Sequence, residues 1–106
     1  MAKQQRSSAK TVQPVVSIIR AQYEWFDGST GLEGLKGNLI PVEARILAVA
    51  DLFDALTARE SPFKCSPDQA FTTLRQQSGT RLDPQLLNLF EQLWGARMRL
   101  EARRNT

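Results

Sequence analysis

Apolar residues recur along this chain at intervals of three and four and nowhere alternate strictly with polar ones, which predicts helices rather than strands. A first helix is expected from about Thr11 or Pro14. Val15, Ile19, Gln22 and Phe26 form its stripe, and Val16, Ile18 and Tyr23 widen it. Asp27-Gly28-Ser29-Thr30-Gly31 ends that helix. Four of the six glycines (Gly28, Gly31, Gly34 and Gly37) follow within a few residues, so the next segment reads as a long surface loop of turns.

A second helix opens behind Pro41, which suits a first turn that needs no amide donor. Val42, Ile46, Val49, Phe53 and Leu56 make its apolar stripe. The opposite face repeats Ala44, Ala48, Asp51, Ala55 and Ala58, as expected for a helix held between neighbours. Asp51 in that alanine seam must find a partner or lie in a solvated cleft. Arg59 to Cys65 reads as a connector. Ser66, Pro67 and Gln69 then supply an N-cap, a first-turn proline and a capping box for a third helix through Ala70, Phe71 and Leu74, with Gly79 as its stop. Asp83 and Pro84 start a fourth, striped by Leu86, Leu87, Phe90, Leu93 and Trp94, and residues 96–104 continue it or trail as a tail. The fold class expected is all-α with four main helices. Residues 1–10 are expected to form a disordered basic tail, 11–95 the folded unit and 96–106 a basic helix extension or tail.

With 106 residues there is room for one small domain. The net charge of +3 is unevenly placed: residues 1–10 carry three positive charges, residues 96–106 three more, and the body is mildly acidic. No aromatic residues interleave with the basic ends, so solvated termini are expected rather than a nucleic-acid partner. No apolar run approaches membrane-spanning length, and the basic residues at the N-terminus are not followed by an apolar stretch, so no membrane is expected and a cytoplasmic setting is. Cys65 is alone, which agrees with a reducing compartment and excludes an internal disulfide. With only Lys64 beside it, a nucleophilic role for Cys65 is not expected.

One ordered set of motifs goes further. Gln22-Tyr23-Glu24-Trp25-Phe26-Asp27-Gly28-Ser29-Thr30-Gly31-Leu32 is followed by Gly34-Leu35-Lys36-Gly37, Ile40-Pro41 and Asp51-Leu52-Phe53-Asp54-Ala55-Leu56-Thr57. Ser61-Pro62-Phe63, Ser66-Pro67-Asp68-Gln69-Ala70 and Gly79-Thr80-Arg81-Leu82-Asp83-Pro84 complete it. Together they resemble the second half of an HD-GYP domain, from the family of bacterial cyclic di-GMP phosphodiesterases with a multinuclear metal centre. The resemblance implies a partial HD-domain-like helical bundle across residues 11–95. In that family the first block reads His-His-Glu-x-x-Asp-Gly-x-Gly-Tyr-Pro. Here Gln22 and Tyr23 replace the two histidines, and Gly31 stands where the tyrosine belongs.

Such a centre needs imidazoles and carboxylates, and this chain contains no histidine. Asp51 alone remains at a position resembling a ligand, either as a vestige of one or as an acceptor for helix-end amides. The half of the family's domain with its His-Asp pair has no counterpart here. The arginine of the family's Arg-Pro-Tyr falls at Glu60 or Ser61, leaving Lys64 as the nearby basic residue. These losses lead to the expectation of no catalysis, no cofactor, no metal and no cyclic di-GMP binding in this chain. Glu24 and Asp27 are expected to organise turns, and Trp25 to serve the core or as an exposed anchor. Positions for interaction or a vestigial ligand site are then Glu24, Trp25, Asp27, Gly31, Asp51, Asp54 and Lys64. A non-catalytic interaction or regulatory module in cyclic di-GMP and two-component signalling is expected. Its implied partner is a diguanylate cyclase, a response regulator or a second copy as a homodimer. The alternative is a part of a metal-dependent phosphohydrolase completed by a partner chain that supplies the His-Asp half.

Overall fold

The computed structural model describes residues 15–30 and 33–104. The expected tail at 1–10, the start of the first helix and Gly31 lie outside the described residues. Helix α1 covers residues 15–21, a 3-10 turn follows at Gly37–Leu39, and α2 runs Val42–Thr57. Helix α3 is Pro67–Gln76 and α4 is Pro84–Arg104. Among the described residues there is no strand beyond an isolated bridge between Ser78 and Leu82, and the fold is all-α.

The helix starts follow the local chemistry of the sequence. Ser66 accepts from the Gln69 amide at 3.2 Å while its own amide donates to Gln69 Oε1 at 2.9 Å, which closes the capping box of α3. Asp83 Oδ1 accepts from the amides of Gln85 and Leu86 at 2.9 and 3.3 Å and caps α4. Two expected helix ends move inward. Helix α1 stops at residue 21 rather than near Phe26, because the amides of Tyr23 and Glu24 take i−3 carbonyls and those of Trp25 and Phe26 are drawn to Thr30 and Arg81. Helix α3 stops at Gln76, where the Gln77 carbonyl accepts from Arg81 and Leu82 instead. Gly79, at φ +85, serves the turn beyond it. Helix α4 does continue past Gly95, to Arg104.

Helix α2 packs on α3 and α4, and α3 packs on α4. Val49, Phe53 and Leu56 of α2 meet Ala70, Phe71 and Leu74 of α3, with Leu82 and Leu87 closing the cluster. Phe53 is its centre, with ring centroids 5.0, 5.3 and 4.9 Å from Phe71, Phe90 and Trp94. The alanine side of α2 serves a second cluster, in which Ala44 packs with Ala21 and Ile40 and with the flanking Ile18 and Leu35. That face holds α1 and the glycine-rich loop against the bundle. The expected stripes are only partly covered: Val15 and Ile19 of α1 and Val42 and Ile46 of α2 are exposed. Burial of α2's stripe begins where α3 and α4 reach it.

One ion pair joins the two ends of this arrangement. Arg45 Nη1 donates to Asp83 Oδ2 at 2.8 Å, with the two side chains 15% and 4% exposed, and Arg45 Nε donates to the Ile40 carbonyl at 2.9 Å. Arg75 and Glu91 make a two-pronged pair between α3 and α4 in a far more exposed setting. Asp83→Ala leaves a shielded guanidinium unpaired and α4 uncapped, so urea denaturation is expected to show a loss of about 3–5 kcal/mol. The loss from Glu91→Ala should stay below about 1 kcal/mol.

Candidate functional site

The glycine-rich loop is fixed to the segment before α4. The Phe26 and Asp27 amides donate to the carbonyls of Arg81 and Thr80 at 3.1 and 2.9 Å, and the Gly37 amide donates to the Phe26 carbonyl at 2.8 Å. Gly28 is required where it stands. Its φ is +76, and a Cβ there would lie 3.0 Å from Lys36 Cβ. Glu24 is buried, with Oε1 accepting from the Glu33 amide at 2.6 Å. Among the described residues its Oε2 has no hydrogen-bond partner. Asp27 Oδ1 accepts from the Ser29 amide at 2.9 Å in an Asx turn.

These constraints open a cleft of about 150 Å³ lined by Gln22, Tyr23, Glu24, Trp25, Ala48, Asp51 and Arg81. The Arg81 guanidinium carbon lies 5.9 Å from the centroid of the Trp25 ring, a cation–π arrangement. Asp51 is exposed and lines the cleft. Among the described residues its carboxylate takes no hydrogen bond or ion pair, so the reading of Asp51 as an acceptor for helix-end amides gives way to a solvated cleft.

Of the positions singled out in the sequence, Gln22, Tyr23, Glu24, Trp25 and Asp51 converge here. Asp27 does not line the cleft but shapes the loop beside it. Asp54 is exposed on α2 and outside it. Lys64 sits in the α2–α3 connector at φ +48, next to the exposed Phe63 and the buried Ser61, and also outside it. Arg81 was missed. Its signal lay in Gly79-Thr80-Arg81-Leu82-Asp83-Pro84, one of the stretches that carry the resemblance, in which Arg81 stands two residues before the Asp83 cap.

Residues 1–86 match the HD domain family. The chain belongs to the HD-domain family. A similar curated protein is the cyclic di-GMP phosphodiesterase response regulator RpfG of Xanthomonas campestris pv. campestris, 40% identical over 83 residues that cover 77% of this chain and 22% of that one. Another is the 3'3'-cGAMP-specific phosphodiesterase 2 of Vibrio cholerae serotype O1, 35% identical over 92 residues, covering 84% of this chain and 17% of the relative. The cyclic di-GMP phosphodiesterase of Thermotoga maritima is 34% identical over 89 residues, covering 83% and 24%. This HD-domain chain thus spans about a fifth of the length of these relatives. No solved structure matches.

The expectation that the chain is not an enzyme is corrected by these relatives. They are named as phosphodiesterases at 34–40% identity, so the chain stands in an enzymatic family. Missing histidines in one segment do not place it outside that class. The multinuclear metal centre implied by the resemblance is a separate matter. An amide, a phenol and carboxylates face the HD-domain chain's cleft, with no imidazole. No group of three or more His, Cys, Asp or Glu gathers among the described residues, so these residues alone do not fit such a centre. No helix of the described chain is long and apolar enough to cross a membrane.

Hydrogen bonds from the Ser29 hydroxyl and then its amide hold the Asp27 carboxyl below its ordinary value of 3.8. A lowered folded-state value stabilises the fold above the unfolded value, and that contribution disappears as pH falls through the folded one. The stability gap between the wild type and Asp27→Asn should therefore narrow on acidification below 3.8, followed by thermal melts along a pH series.

Proposed function

We propose that this chain works in cyclic dinucleotide hydrolysis as the nucleotide-facing part of an HD-type phosphodiesterase domain, completed by a segment that carries the histidines. The observation that carries this reading is the meeting of Arg81, Trp25 and Asp51 on one cleft. The case against nucleotide binding rested on Gly31 and on the Glu60–Ser61 position. Arg81 answers it, because a guanidinium matches phosphate oxygens with two parallel donors.

Size supports the division of labour. A cleft of about 150 Å³ is well below the ~300–1,000 Å³ of a complete small-molecule site. It is suited to a phosphate or the edge of a base, with the remainder held by the complementary segment. In this arrangement Arg81 neutralises a phosphate, and Trp25 lies within cation–π range of its guanidinium. Asp51 faces the same space as an acceptor for base N–H groups or for a cation brought by the other segment. The partner proteins of such a module belong to cyclic di-GMP and two-component signalling, and its regulatory role follows from docking there.

Titration with cyclic di-GMP, followed by tryptophan fluorescence, tests the reading. Losing one charged contact to a phosphate costs about 1.5–3 kcal/mol, so Arg81→Ala should weaken binding roughly 10- to 100-fold. Lys64→Ala, outside the cleft, should leave it unchanged. Equal affinities for the wild type and Arg81→Ala would overturn the assignment. With a histidine-bearing HD segment added, a linear dinucleotide should appear on chromatography, at a rate that Arg81→Ala reduces.

A further inference from the structure

Helix α4 has more apolar surface than the bundle uses. Its inner side, Leu87, Phe90 and Trp94, packs on the core and ends at Trp94. A second stripe of Leu86, Leu89, Leu93, Ala96 and Leu100 repeats at steps of three, four, three and four, the spacing of a helix-pairing seam. Leu89, Leu93 and Leu100 are 48%, 60% and 61% exposed. With Ile46 and Val49 of α2, the first half of this stripe lines an apolar groove of about 120 Å³. At 21 residues, α4 is about 31 Å long, and its second half extends beyond the groove.

Charge selects the occupant. Among residues 15–95, ten carboxylates outnumber seven cations, whereas the end of α4 carries Arg97, Arg99, Arg103 and Arg104 against Glu101. The basic end of α4 thus meets a mildly acidic body, with Glu43 exposed at the start of α2, at the far end of the groove. We propose that α4 pairs antiparallel with α4 of a second copy about a two-fold axis at Leu93. Leu89 then packs beside Ala96 of the second copy, and Leu86 and Ile46 pack beside Leu100 of the second copy. The basic end of each α4 comes to the start of α2 and α4 opposite, which the Arg45–Asp83 pair holds together. Glu43 stands exposed there in the first turn of α2. Antiparallel pairing also sets each helix C-terminus against an N-terminus, which favours the backbone dipoles. The contact is isologous and closes on itself. It is independent of the nucleotide reading, because none of its residues lines the Arg81 cleft.

Sedimentation of the full chain over about 1 to 200 micromolar tests the pairing. The expected mass is twice 11.9 kDa at the upper end. Leu93→Glu should raise the dissociation constant roughly tenfold or more with unchanged far-ultraviolet circular dichroism. Raised salt should weaken the wild-type dimer through screening of the arginine contacts. Orientation is read by oxidation in a Cys65→Ser background. Leu93→Cys should cross-link to itself, and Leu86→Cys should cross-link only when mixed with Leu100→Cys. A monomer throughout the range, a dimer indifferent to Leu93→Glu, or self-cross-linking of Leu86→Cys would each overturn the proposal. So would a monomer that keeps this face for a different protein.

Discussion

The carboxylate of Asp83 is the point on which the arrangement turns. One oxygen caps α4 and the other holds Arg45, whose guanidinium reaches on to the Ile40 carbonyl. A single 4%-exposed side chain thereby ties together the start of α4, the first turn of α2 and the turn that precedes it. The residues just before it are equally committed, because the carbonyls of Thr80 and Arg81 hold the amides of Asp27 and Phe26. Shielding from water strengthens the pair electrostatically and makes either partner costly to leave alone.

This junction explains why the cleft exists where it does. Trp25 and Arg81 come from segments more than fifty residues apart, and neither belongs to a helix. Their approach depends on the short backbone ladder at residues 26–27 and 80–81. Helix α2 supplies the floor, since its small residues admit the loop on one side while Val49, Phe53 and Leu56 face the core on the other. The site is therefore a product of non-local hydrogen bonds laid over a conventional helical core.

That division accounts for what was legible in the chain. Caps at Ser66 and Asp83 and the later part of the α2 stripe, Val49, Phe53 and Leu56, are local patterns, and each emerges where the spacing puts it. The early end of α1 was not legible, because it depends on Thr30 and Arg81 drawing away amides that a periodic stripe would keep helical. The exposure of Val15, Ile19, Val42 and Ile46 was hidden for a related reason: periodicity marks a face as apolar without saying whether a neighbour exists to cover it. Gln22, Tyr23 and Asp51 could be grouped from motif order. Arg81 could not, since its role follows from a loop packing across a long separation.

The bond from the Glu33 amide to Glu24 Oε1 bears on how such a domain changes over evolutionary time. It joins two positions nine residues apart beside the cleft, and the Trp25 amide on the Thr30 carbonyl makes a smaller closure within it. The residues between these anchors are not free to vary, because the Phe26 and Asp27 amides are held by the carbonyls of Arg81 and Thr80 and Gly28 has no room for a side chain, so a change there reaches the start of α4. Descendants of one ancestor that keep the junction before α4 are thus held to the same backbone path in this loop.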